Sequence, residues 1–252
     1  MTFTLSEEQR LLKDAAHDFI AEQAPVSRLR KQRDAKQNGR DPELWREMAQ
    51  MGWAGVLAPE EFGGAGLGYV ALGAVLEETG RTLAASPLLS TAMIGASALM
   101  LGGSEAQKAE WLPKIAAGEV TVAFAVDEGA HHAPDKLKLS GGKLSGDKKY
   151  VVDGHIADLF VVAAADAIYL VKADAAGFAR RELVTVDSRS AADLKFSSVA
   201  ADRMNGGVAT IDAVLDRARI GLAAEMLGQS QAAFETTGEY LKTRRQFGQV
   251  IG

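Results

Sequence analysis

Residues 119–126 read EVTVAFAV, and this run divides the chain. Dense β-branched and aromatic residues suit a strand rather than a helix. Everything before it reads as helices. Ser6 followed by Gln9 forms a capping box, and Leu11, Leu12, Ala15, Ala16, Phe19 and Ile20 recur at helical spacing. The charge run RLRKQRDAK, 28–36, is a solvated helix face or loop. Asp41-Pro42 opens a further helix, with Leu44, Trp45, Met48 and Met51 on one side. APEEFGGAGLGY is a Pro/Gly loop before a helix at about 69–83, and more helices follow near 86–101 and 105–117, closed by Gly118.

After Glu119 the period shortens. KLKLSGGKLSG alternates around a Gly-Gly turn, a hairpin signal. KKYVVDG, DLFVVAAA, AIYLVKA and RRELVTVD continue strand and turn to about residue 200. From about Ala209 the helical pattern returns and persists to Phe247. Helix, then sheet, then helix, with little βαβ alternation, predicts an α+β fold. The expected domains are an all-α domain over 1–118, a middle β-barrel-like domain over 119–207, and over 208–252 one long helix that starts a C-terminal bundle.

Bulk composition narrows the function. At 47% hydrophobic and 24% charged, the 252 residues describe an ordinary packed protein. A net charge of −5 gives no electrostatic reason to expect nucleic acid. Without cysteine, disulfides, thiolate chemistry and Cys-ligated metal are excluded. The charged, amphipathic start is unlike a signal peptide, and no stretch is apolar for long enough to span a bilayer. A cytoplasmic protein is expected, without membrane or metal.

Few local motifs carry chemistry. The glycines of FGGAGLG do not match the dinucleotide fingerprint and follow no strand, so they read as a turn. His131-His132, adjacent and without a helical partner, make a poor metal pair and read as an exposed turn. The last helix says more. Its interior IGLAAEMLGQSQAAF is apolar nearly all round, with Gly221 and Gly228 one heptad apart, as in a helix buried among close neighbours. Arg219 and Arg244 stand about 37 Å apart at ~1.5 Å per residue, too far to hold one small anion together. Either one end serves a site in its own subunit while the other reaches a neighbour, or the terminal Arg and Lys residues complement the helix dipole.

These stretches resemble the flavin-dependent acyl-CoA dehydrogenases along essentially the whole chain: LSEEQRLLKDAAHDFI, PEEFGGAGLG, LEETGRTLAASPL and ARIGLAAEMLGQSQAAFETTGEYLKTRRQFGQVIG. The R-x-Q-F-G at Arg244–Gly248 is the most specific piece. The resemblance implies the same order of helical, β and helical domains, noncovalent FAD, and an acyl-CoA substrate. It also implies a dimer or tetramer and electron-transfer flavoprotein as a partner. Arg244 matches the Arg that contacts the FAD pyrophosphate of a partner subunit, with Gln246 and Phe247 beside it. A planar guanidinium fork suits such a group. FAVDE, covering Phe124, Val126, Asp127 and Glu128, falls where the family has Tyr-x-x-Thr-Glu at its flavin loop. KKYVVDG falls on Met-Trp-Ile-Thr-Asn-Gly, so Tyr150, Val151 and Val152 stand beside the flavin. Ala133, Asp216 and Arg219 match positions beside the acyl-CoA.

The departures are specific. Val152 replaces a flavin-bonding Thr and has no donor. Glu128–Pro134 degrades the usual Glu-Pro-x-x-Gly-Ser-Asp. The family removes an α-proton with a carboxylate, carried either far downstream of R-x-Q-F-G or at the position of Ala218, and no residue here matches that base. The expected activity is oxidation of an acyl-CoA to a 2-enoyl-CoA with FAD. The alternative is a non-catalytic subunit of a heteromeric dehydrogenase that lends FAD contacts to a second acyl-CoA dehydrogenase-like chain. A third reading is a helical interaction protein without either ligand.

Overall fold

The computed structural model describes residues 4–37, 39, 41–129, 138–140, 142–165 and 167–252, with the side chains of 138–140 left aside. Among the described residues six α-helices precede the first strand. They are α1 (Glu7–Gln23), α2 (Val26–Asp34), α3 (Pro42–Gln50), α4 (Gly68–Thr82), α5 (Ala96–Gly102) and α6 (Glu105–Ala116). The Ser6 capping box forms as its sequence spacing predicts, with Ser6 accepting from the Gln9 N–H and Gln9 reaching back to the Ser6 N–H. A π-helical stretch, Leu88–Gly95, leads into α5. The charge run is helical: it forms α2, with Arg28 held to Asp41. The helical core joins Ile20 of α1, Leu44 and Met48 of α3, Leu72 and Leu76 of α4 and Trp53. Phe19 meets Trp53 edge-on at 5.1 Å.

Two four-stranded sheets follow. The first contains β1 (Val122–Ala125), β4 (Leu159–Ala163), β5 (Ile168–Lys172) and β8 (Asp202–Arg203) in that order, and the second contains β2 (Lys138–Ser140), β3 (Lys143–Val152), β7 (Ala191–Ala200) and β6 (Phe178–Glu182). Among the described residues only β1 and β4 run parallel, and the remaining pairs are antiparallel. The apolar run of β4 is explained by burial on both faces. Leu159, Val161 and Ala163 pack toward Leu99, Trp111 and Leu112 of the helices, while Phe160 and Val162 pack toward Leu144, Leu194 and Phe196 of the second sheet. RRELVTVD is only partly strand. β6 stops at Glu182, and Val184 and Val186 beyond it are exposed.

The last helix, α7 (Val208–Thr243), runs 36 residues without interruption and packs mainly on α4. Two expectations need correcting here. The helix stops at Thr243, not Phe247. Arg244 is extended, and Phe247 and Gly248, both at positive φ (51° and 81°), form the two-residue turn of a small hairpin, β9 (Arg245–Gln246) and β10 (Gln249–Val250). A turn of that hand matches the twist of paired strands. Nor is α7 buried all round. Ile211, Val214, Gly221, Glu225 and Gly228 form its buried stripe, whereas Ile220, Met226, Leu227 and Phe234 are more than half exposed, since α4 and its neighbours cover one side only. Among the described residues, no helix is long and apolar enough to cross a membrane.

Candidate functional site

The two segments that the resemblance assigns to the flavin lie side by side. The Lys149 N–H donates to Asp127 O at 2.7 Å, joining the segment just after β1 to β3. Lys148 donates from Nζ to Val126 O at 2.7 Å and pairs with the Glu128 carboxylate at 2.7 Å. Both side chains are buried, Lys148 completely. An ion pair taken out of water holds together two segments 20 residues apart, so the FAVDE backbone is pinned against β3. Val126 is buried and Phe124 half-buried.

β3 carries a bulge between Lys148 and Val151, where its register against β7 slips. Tyr150 sits in it at φ 52°. Its N–H, lost to the ladder, donates to Asp193 of β7, which also accepts from Lys149 and, at 2.6 Å, from Arg181. Burial raises the Asp193 carboxyl, but these donors outweigh it and hold it below the usual range. The bulge re-aims the strand. Tyr150 is 68% exposed and Val152 46%, while Val151 between them is buried. The outcome is an aromatic and aliphatic ledge facing outward from a rigid strand. Val152 brings no side-chain hydrogen-bond donor to that ledge.

Beyond the ledge, Val152, Asp153, Arg189, Ser190, Ala84 and Leu89 line a small open cleft between the helices and the second sheet. Asp153 is buried and lies 2.6 Å from Ser90 Oγ. Burial pushes its carboxyl up to about 7, against the pull of the Ser90 hydroxyl and Arg189. Arg189 pairs with Glu225 of α7 at 2.9 Å. Burial raises the Glu225 carboxyl too, against the attraction of Arg189. These four residues escaped sequence reasoning. Glu225 alone left a signal, a single acid within an apolar helical run.

The remaining expected residues lie elsewhere. Asp216 and Arg219 pair with each other at 2.7 Å on the solvent side of α7. Arg217 between them turns inward and donates to Tyr69 OH at 2.9 Å. Arg244, Gln246 and Phe247 are exposed at the other end of α7, about 36 Å from Arg219 by helical rise. Ala218 is half-buried on the same helix. Ala133, with His131 and His132, lies outside the described residues.

A family model described as "Acyl-CoA dehydrogenase, N-terminal domain" matches residues 6–119, and "Acyl-CoA dehydrogenase, C-terminal domain" matches 205–252. The mitochondrial isovaleryl-CoA dehydrogenase of Pongo abelii is 31% identical over 98% of this chain, which spans 65% of that relative's length. Among solved structures, the Tcur3481-Tcur3483 steroid ACAD variant is 35% identical with a TM-score of 0.90, over 99% of this chain and 70% of that one. The ChsE4-ChsE5 complex of Mycobacterium tuberculosis is 28% identical with a TM-score of 0.89, over 100% of this chain and 71% of that one.

Proposed function

The chain belongs to the acyl-CoA dehydrogenase family, FAD-dependent oxidoreductases, and from that premise we propose that it takes part in oxidising an acyl-CoA thioester to the 2-enoyl-CoA. The carrying observation is the ledge: an exposed Tyr150 and Val152 on a bulged strand, pinned beside the FAVDE segment. When bound, FAD supplies the two-electron acceptor. Tyr150, Val151 and Val152 border the ring, with Phe124, Val126, Asp127 and Glu128 on the adjacent segment. Arg244, Gln246 and Phe247 reach out from the end of α7 toward the FAD held by a second protomer, where the Arg244 guanidinium neutralises phosphate. Asp216 and Arg219, with Ala133, stand toward the CoA thioester. An electron-transfer flavoprotein is the proposed electron acceptor. The cysteine-free composition fits a reducing compartment, and the proposal places the chain in the cytoplasm, which cell fractionation checks.

A specific observation favours a second reading, a subunit that contributes contacts to a partner's site. Ala218 has no acid function at one of the family's two places for the base, Val152 has no donor, and the Tcur3481-Tcur3483 and ChsE4-ChsE5 structures that this chain resembles each name two proteins together. Purifying the chain alone, and with a complete dehydrogenase chain coexpressed, separates the readings by where visible flavin absorbance travels. Protein that stays colourless in both preparations and takes up no added FAD would sink both. Arg244→Ala should weaken FAD binding by about 1.5–3 kcal/mol, the worth of a charged hydrogen bond.

A further inference from the structure

The helices, the second sheet and α7 meet at one polar junction, where two buried carboxyl groups share one guanidinium. Ser90 Oγ lies 2.6 Å from Asp153 Oδ2 and 3.1 Å from Pro87 O, and Pro87 O also accepts from the Thr91 N–H at 2.8 Å. A protonated Asp153 donates its O–H to Ser90 Oγ, and Ser90 in turn donates to Pro87 O. The charge count favours that proton. Facing Asp153 are the Arg189 guanidinium and the Glu225 carboxylate of α7. Arg189 and Glu225 already cancel each other at 2.9 Å. Asp187, exposed near Arg189, only adds negative charge. A second ionised carboxylate at the junction would be an uncompensated buried charge.

Asp153 is also placed to transmit this. It directly follows the ledge, in left-handed backbone at φ 55°, and its N–H donates to Ser190 O at 2.8 Å. Ser90 anchors it to the helices, and through Ser190 it joins the loop whose Arg189 grips α7. We propose that Asp153 is a protonated positioning residue that bolts the Tyr150–Val152 ledge to the helices, and that its ionisation loosens the ledge. The flavin part of this rests on the function proposed above. Burial, which pushes the Asp153 carboxyl up to about 7, puts the transition near neutral pH.

The experiment compares the full chain with Asp153→Asn and Glu225→Gln in three readouts from pH 5.5 to 8.5. Asn replaces the acid's O–H with an N–H donor that does not titrate. Thermal melting of the wild type should fall by several degrees as pH rises, and Asp153→Asn should flatten that fall. Glu225→Gln removes a negative neighbour and should move the fall to lower pH. Hydrogen-exchange protection of residues 150–154 should drop at high pH in the wild type and persist in Asp153→Asn. FAD dissociation constants, read by flavin fluorescence, should rise up to about tenfold per pH unit above the transition in the wild type and stay constant in Asp153→Asn. An unchanged pH slope in the Asp153→Asn melt overturns the assignment. A flattened melt with pH-independent exchange protection in the wild type overturns the positioning role. If the wild type binds no FAD at any pH, the flavoprotein reading fails, while melting and exchange still decide the junction.

Discussion

Asp193 and Asp153 are two buried acids of the second sheet region with opposite titration behaviour. Asp193 collects donors from Tyr150, Lys149 and Arg181, and its carboxyl is lowered in the fold. Its contribution is present above the unfolded value and is lost as acid titrates the folded carboxylate. Asp193→Ala should cost about 1–3 kcal/mol in urea unfolding at neutral pH, because the bulge N–H loses its acceptor. Asp193→Asn should remove that residue's share of the acid-side loss. Asp153 works the other way. Its carboxyl rises from 3.8 to about 7, so the folded state holds a proton that the unfolded chain releases. Its contribution is fully present below the unfolded value and fades as pH climbs through about 7. Stability measured between pH 4 and 8 should therefore fall with rising pH through this residue alone.

At the scale of elements, the contact between α4 and α7 depends on missing side chains. A Cβ on Gly228 would sit 1.8 Å from Glu77 O, and one on Gly80 2.0 Å from Glu225 O. The helices approach backbone to backbone, and nothing flexible can give way. Gly228→Ala should destabilise by about 1–3 kcal/mol despite the better helix propensity of alanine, as overpacking does. Gly238, further along α7 with open space around it, serves as the control. Gly238→Ala should be neutral or stabilising by up to about 1 kcal/mol in the same assay. Loss of stability in the control but not in Gly228→Ala would refute this account of the packing.

At the scale of the whole molecule, the uncovered side of α7 dominates. Ile220, Met226, Leu227 and Phe234 lie along it, and Phe247 and Ile251 extend the apolar surface past its end. Exposed apolar area of this extent marks an interaction surface. Under the proposed function that surface lies where a second chain brings Arg244 toward a flavin. The purified chain should therefore sediment above its 26.6 kDa monomer mass, and Phe234→Asp should shift it toward the monomer in sedimentation velocity. An unaltered distribution in the variant would place the contact elsewhere.

The sequence by itself determined the order of helices, strands and long helix, because each segment's apolar period is a local property that its backbone geometry must satisfy. It also located the capping box at Ser6 and marked Gly221 and Gly228 as sites of close approach. Only the tertiary structure decided what those segments face. The all-round apolar pattern of α7 reads as burial, yet half of it meets no neighbour within the chain. The helix ends at Thr243, short of the apolar pattern, because Phe247 and Gly248 take a turn whose hand sequence periodicity does not register. Ser90, Asp153, Arg189 and Glu225 span 136 positions, and nothing in their local patterns links them. Their pairing is a consequence of how the helices, the second sheet and α7 pack together. Charge and hydrogen-bond accounting becomes possible only when distant groups share one buried volume, and that volume exists only in the folded molecule.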